Sequence, residues 1–344
     1  KSNLITVYKE KSLISNYPVI EQQDFENAFP GKSERLIEES IYSVIPVIVK
    51  SKVVGALLFG LKYSGSKFGG KDLELLTAAA NQLAVSLENA RLYKTEAEKI
   101  KIERDLDLAK KIQQSLLPKH IPNLNGLDIC GEMIPAMQVG GDYYDLIPLS
   151  DTKLFVAVAD VSGKGLSASL YMTKLQTMIQ LATQVSSSPK EILIEMNKRL
   201  YQSMERSWFI TMTLALFDTE NKTIKFCRAG HMPLITANNG TVESIKTAGI
   251  GLGLEKGEVF ERTLQEVELK TKSNQIFAFF SDGITEAMNE KDEMFGEEKL
   301  NGILKGKSNN RSAEVMNKIW SEVKLFRGST PVNDDMTMVI VKVS

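Results

Sequence analysis

From Lys71 onward the chain reads as one helix that has no signal to stop for over forty residues. Leu73, Leu76, Ala80, Leu83 and Leu87 recur at three- and four-residue spacing. Between Glu88 and Leu117 there is neither glycine nor proline, and charges of both signs surround sparse apolar positions. Pro118 and Pro122 then end the helix and mark a domain boundary. A helix of that length cannot sit inside one ordinary core. It divides the 344 residues into a small N-terminal domain over 1–90, a helical linker over 91–118 and a larger domain over 119–344.

Late in the linker, Leu106, Ala109, Ile112 and Leu116 form a narrow apolar stripe, the width of a two-helix seam. It is out of register with Leu83, Leu87, Ala90 and Ala97, and a stutter near Lys99 to Lys101 would account for that. A homodimer through a coiled coil and a solvated connecting helix both remain open.

Upstream, Ile41–Val49 and Val53–Leu61 are β-branched runs around a lysine–serine–lysine turn, a hairpin pattern. Downstream, strand-like runs cover Leu127–Ile134, Tyr143–Leu149 and Leu154–Asp160. Two helices follow, about 167–183 and from Pro189, the second opened by the capping box Ser188-Pro189-Lys190-Glu191. FITMTLALF, TIKFCRA, QIFAFF and MTMVIVKV read as further strands, with a helix ending near Phe326. Strands in series with paired helices between them give an α+β class, sheet packed on sheet with helices outside.

Composition narrows the functions. A net charge of −1 gives no electrostatic reason for a nucleic-acid or anionic-membrane partner. No apolar run reaches the ~18 residues of a membrane span, and no secretory signal opens the chain. A cytoplasmic location is the expectation, with a native start upstream of Lys1. Cys130 and Cys227, the two cysteines, lie far apart in apolar stretches and read as buried small hydrophobes.

Four acidic motifs carry the chemistry, each at the edge of a strand. VGGDYYD holds Asp142, AVADVSGKG holds Asp160, FAFFSDGITEA holds Asp282, and PVNDDMTMVIV holds Asp334 and Asp335. Carboxylates at strand ends beside small residues can converge on one sheet edge. Gathered there, they cannot all stay ionised without compensation, and bound cations supply it. All-oxygen ligands select hard ions, Mg²⁺ or Mn²⁺, and two of them would activate water and clamp a phosphate for in-line attack. Singly, each motif is an ordinary turn; together and in strand context they are not.

From about Ala109 to the C-terminus, AKKIQQSLLP, PAMQVGGDYYD, ADVSGKG, AGHMPLI, SDGITEA and NDDMT resemble the PPM-type metal-dependent serine/threonine phosphatases. The branch is that of the sporulation stage II E protein and the bacterial stress-response sigma-factor regulators. The resemblance implies an α-β-β-α sandwich and a two-ion centre. Asp142 and Asp160 match its early carboxylates, with Asp160 bridging; the Val161 carbonyl matches a backbone ligand; Asp282 and Asp334 match ligands of the other ion. Asp335 stands where the wider family often has asparagine and is assigned support of the ligands. Ser162 replaces a histidine proposed as general acid in eukaryotic relatives, leaving a metal-ordered water as proton donor. SVIPVIVKSKVVGALLFG and DLELLTAAANQLAVSLENARLY resemble the C-terminal half of a GAF domain, without its usual upstream elements. The implied substrate is a phosphorylated protein of the anti-sigma-factor-antagonist type, and the linker would carry a signal from the GAF side.

Other residues receive plainer readings. His231 is a loop histidine holding a turn, His120 belongs to the connector, and Met172, Met178 and Met196 fill core space. Asp145 is assigned a turn or strand-edge role. Two further function classes stand beside the phosphatase. A non-catalytic binding module would be expected to have lost one of the four aspartates. A nuclease or other two-metal phosphoryl enzyme would need a basic track.

Overall fold

The N-terminal hairpin forms, with its register slipping by one residue between Val47 and Ile48. In the computed structural model, which describes residues 19–344, β2 (Ser43–Val49) pairs antiparallel with β3 (Lys52–Phe59), and β1 (Ile20–Glu21) flanks β2. Lys50 and Ser51, at φ 47° and 61°, form a two-residue left-handed turn that matches the twist of paired strands. Two short helices, α1 (Phe25–Ala28) and α2 (Ser33–Glu38), pack Phe25 and Leu36 with Val44. Ile45 and Val47 pack with Ala80 and Ala84 of α3 (Lys71–Leu116). The first eighteen residues of the expected sensor domain lie outside the described residues. The chain divides within α3 into one unit ending at Glu103 and another running Arg104–Ser344.

In the second unit, every strand pair is antiparallel. One sheet has the order β10-β9-β12-β13-β4: β10 (Thr241–Ile245), β9 (Leu234–Asn238), β12 (Ile276–Phe280), β13 (Met336–Val343) and β4 (Leu127–Ile134). The other runs β11-β8-β7-β6-β5: β11 (Glu266–Lys270), β8 (Thr223–Ala229), β7 (Ile210–Asp218), β6 (Lys153–Val161) and β5 (Tyr143–Ser150). Val156, Val158 and Phe217 of the second sheet pack against Phe277, Phe279 and Val339 of the first. On the far side of the second sheet, Phe155, Ala157 and Leu214 meet Met172, Leu175 and Leu193 of α4 (Leu166–Ala182) and α5 (Pro189–Ser203). On the far side of the first, Ala278 and Ile340 meet residues of the C-terminal helices, α8 (Gly296–Leu304) and α9 (Ser312–Arg327), among them Leu300 and Ile319. These layers are α-β-β-α. β6 reads as an unbroken apolar run because one of its faces lies against the opposite sheet and the other against helices.

Three expectations need correction. Ser188 Oγ accepts the Glu191 amide at 3.3 Å, but the Glu191 carboxylate takes the Ser186 hydroxyl at 2.6 Å, so half of the capping box is absent. The β9–β10 hairpin, turning through Asn239-Gly240 at φ 46° and 81°, and β11 were not read as strands. The stripe from Leu106 to Leu116 does not face one way: Leu116 packs against the helix-covered core, while Ile112 is 55% exposed. Among the described residues no helix is long and apolar enough to cross a membrane.

Candidate metal centre

Antiparallel pairing explains how residues far apart in sequence reach one place. Tyr143 pairs with Ala159, so the start of β5 and the end of β6 lie side by side, carrying Asp142 and Asp160. Phe280 pairs with Met338, so the end of β12 and the start of β13 also lie side by side. Asp282 there opens the one-turn helix α7 (Asp282–Thr285), and Asp334-Asp335 lead into β13. Hydrogen bonds across the sandwich join the two pairs. Ser281 Oγ and Thr337 Oγ1 each donate to Asp142 Oδ2 at 2.6 Å.

Asp142 is 2% exposed. Burial pushes its carboxyl well above the usual range, with Asp160 and Asp335 adding to the rise and the two hydroxyls opposing it. Asp335 ties down the loop before β5. Its Oδ1 accepts the Ala136 amide at 2.8 Å, and its Oδ2 accepts the amides of Gly141 at 2.7 Å and Asp142 at 3.4 Å. That packing leaves no room for side chains: a Cβ on Gly140 would lie 2.0 Å from Asp335 Oδ2, and one on Gly141 would lie 2.7 Å from the Val161 carbonyl oxygen.

Asp160 is pushed up to about 7, first by burial and then by Asp282, Asp334 and Asp335, with Lys164 opposing. Asp282 is raised by burial, Glu286 and Asp334. Asp334 Oδ1 accepts the Asp335 amide at 2.9 Å, and its Oδ2 pairs with Lys164 Nζ at 2.8 Å. Among the described residues, no three His, Cys, Asp or Glu side chains are grouped closely enough to hold an ion. Burial first, and then neighbouring carboxylates, nevertheless hold Asp142, Asp160 and Asp282 above the ordinary carboxylate range. This all-oxygen set with excess negative charge fits a hard divalent cation, whose charge would relieve that repulsion.

Some residues that shape this place stand inside the quoted motifs without having been given a role there. Gln113, buried near the end of α3, donates through Nε2 to the Gly140 carbonyl at 2.6 Å and accepts the Gly140 amide at 3.1 Å. Ser281 and Thr337 were visible only as polar positions beside the aspartates. Asp145 is structural, accepting from Tyr143 Oη and Gln180 Nε2 at 2.6 Å each. His231 is buried with Nδ1 2.8 Å from Thr211 Oγ1, and Thr211 is the cross-strand partner of Asp160. His120 is exposed, and Met172 and Met196 are core. Ser162 accepts the Phe209 amide at 2.9 Å, a loop-bracing role.

Known proteins share this architecture. The phosphoserine phosphatase RsbU of Bacillus subtilis is 25% identical over 243 residues, 70% of this chain and 70% of its own. The SiaA-PP2C domain of Pseudomonas aeruginosa matches with a TM-score of 0.65 at 21% identity, over 72% of this chain and 99% of that one. A Bacillus subtilis SpoIIE structure, comprising the PP2C phosphatase domain and a fragment of the regulatory domain, matches at 0.55 and 19% identity, over 64% of each chain. The second unit therefore has the PP2C phosphatase fold. Residues 150–344, more than half the chain and including Asp160, Asp282 and Asp334, match the family model of Stage II sporulation protein E: the chain belongs to the SpoIIE family.

Proposed function

We propose that this chain is a metal-dependent phosphatase that hydrolyses phosphoserine or phosphothreonine on a protein. The observation that carries the reading is that strand register gathers Asp142, Asp160, Asp282 and Asp334 at one end of the sandwich, where burial and neighbouring carboxylates raise Asp160 and Asp282. Asp142, Asp160 and the Val161 carbonyl would hold one Mn²⁺ or Mg²⁺ ion; Asp160, Asp282 and Asp334 would hold a second. When bound, such ions neutralise phosphoryl charge and lower the pKa of water.

The chain's own residues prepare that chemistry. Ser281 and Thr337 fix the rotamer of Asp142. Asp335 and Gln113 hold the Gly140-Gly141 loop that presents it. Burial keeps water from screening the carboxylates, so their attraction for a cation is larger than on an open surface.

RsbU is named a phosphoserine phosphatase, which supports phosphoserine as the group hydrolysed; the reading adds a phosphorylated protein substrate of the anti-sigma-factor-antagonist type and a cytoplasmic setting. The N-terminal unit then acts as a GAF-like sensor. The reading includes a homodimer through the linker helix, although the exposed Leu92, Ile100, Ile102 and Leu108 of α3 lie on several sides of it rather than along one seam.

Mn²⁺-dependent phosphate release from a phosphoserine protein, compared between wild type and Asp160→Asn, tests the assignment. Hydrolysis that needs metal and vanishes in the variant is expected. No hydrolysis and no Mn²⁺ binding by wild type in calorimetry would favour the non-catalytic module.

A further inference from the structure

The sequence Ser162-Gly163-Lys164-Gly165 sets a lysine at the tip of the loop leaving β6. Gly163 and Gly165 both have left-handed φ, 82° and 75°, a conformation that glycine adopts without a Cβ penalty. The ammonium of Lys164 reaches across to the loop before β13. It lies 2.8 Å from Asp334 Oδ2 and 2.7 Å from the Asn333 carbonyl oxygen. The side chain is 51% exposed.

A structural staple is a poor account of this contact. Exposed ion pairs contribute little to stability, and both loops have firmer anchors: Ser162 to Phe209 on one side, and Asp335 to Ala136 and Gly141 on the other. The placement is better explained by charge. Lys164 occupies Oδ2 of Asp334, a carboxylate that the reading above gives to a divalent cation. Two cations cannot share it at hydrogen-bonding distance without strong repulsion.

We propose that Lys164 binds the substrate's phosphoryl group: its ammonium rests on Asp334 in the metal-free protein and transfers to the phosphoryl oxygens when a divalent cation takes that carboxylate. This rests on the phosphatase reading and names the side chain that would recognise the phosphate. Lysine suits the role because its compact ammonium sits on a flexible four-carbon stem with three donors. A second feature points the same way. Lys164 stands two residues ahead of α4, whose N-cap Gly165 supplies no side-chain cap. The first-turn amides of a 17-residue helix are thus left to attract an anion. No bond is made or broken at Lys164; the group changes partner.

The test uses the full chain with Lys164→Met and Lys164→Arg. Mn²⁺ affinity is measured by calorimetry without substrate, and KM for a phosphoserine protein and inhibition by inorganic phosphate are measured with Mn²⁺ saturating. Removing the resident ammonium should tighten Mn²⁺ binding several-fold in Lys164→Met. The same variant should raise KM and weaken phosphate inhibition by about tenfold, the scale of one charge-assisted hydrogen bond. Lys164→Arg should recover most of the KM. Unchanged Mn²⁺ affinity and unchanged KM in Lys164→Met, with wild type active, would overturn the assignment and leave the phosphatase reading intact. A wild type that neither binds Mn²⁺ nor releases phosphate would remove both.

Discussion

The carboxylate of Asp335 accepts the Gly141 amide at 2.7 Å, joining residues 194 positions apart in sequence. Its other oxygen accepts the Ala136 amide at 2.8 Å, so both oxygens are needed as acceptors. Asparagine has only one. Asp335→Asn should therefore turn an NH₂ donor against an N–H donor inside a buried loop. The expected result is a loss of about 1–3 kcal/mol of stability and a 10- to 100-fold fall in Mn²⁺ affinity. Thermal denaturation and calorimetric titration check the two separately. Wild-type values for both would mean that the loop relies on other contacts.

Gly283 follows Asp282 in α7, and a Cβ on it would lie 2.1 Å from the Asp335 carbonyl oxygen. Backbone cannot yield there without displacing Asp334 and Asp335. Gly283→Ala should destabilise the protein by about 1–3 kcal/mol, the range for overpacking, and abolish Mn²⁺-dependent hydrolysis. Gly302 is a control, since a Cβ there meets nothing within 4 Å and the residue lies within α8. Gly302→Ala should raise stability by up to about 1 kcal/mol through helix propensity and leave activity unchanged. Urea unfolding of the two variants decides between local steric exclusion and a general intolerance of alanine.

Gln113 holds both backbone groups of Gly140 with one side-chain amide. Gln113→Met preserves length and apolar packing but removes both hydrogen bonds. Since Gly140 precedes the loop residue that presents Asp142, the variant should lose Mn²⁺ affinity by roughly tenfold or more while KM at saturating Mn²⁺ stays near wild type. Equal Mn²⁺ affinity in the two proteins would show that α3 ends beside the centre without steadying it.

The candidate ligands stand out in the sequence because they sit at strand termini: Asp142 and Asp334 just ahead of apolar strands, Asp160 and Asp282 where such strands end. The sandwich followed from strands in series with paired helices between them. Contacts that depend on side-chain direction left no such mark. Ser281 and Thr337 look like ordinary strand-end polar residues until antiparallel register brings both to Asp142. Gln113 lies in a helix whose other polar residues are mostly solvated, and its burial comes from the domain packed beside it. The same packing takes Leu116 out of the apolar stripe that looked like a dimer seam. In the edge strand β11, Val267 and Leu269 alternate with Glu266, Glu268 and Lys270, a period-two strand signal that would have recovered it. Asn239-Gly240 is a strong hairpin signal, and reading it would have recovered β9 and β10.

His231 gives the fold a pH dependence that can be isolated. Burial first, and then the Arg228 guanidinium, push its imidazole from 6.5 down to about 3, with a Phe280 backbone hydrogen bond opposing. It is therefore neutral in the folded protein, while the unfolded chain takes up a proton below 6.5. The unfolded state binds more protons across that interval, so stability is fully present above 6.5 and is lost as pH falls towards 3. Asp160 acts with the opposite sign. Its carboxyl is raised from 3.8 to about 7, so its contribution is present below 3.8 and lost as pH rises through about 7. Comparing wild type with His231→Gln cancels the Asp160 effect, which both share. Urea unfolding of the metal-free proteins between pH 7.5 and 4.5 should show the wild-type advantage shrinking on acidification. The limiting slope is about 1.4 kcal/mol per pH unit. Parallel curves would mean that His231 titrates normally, and that the buried Thr211–His231 contact opens before the protein unfolds.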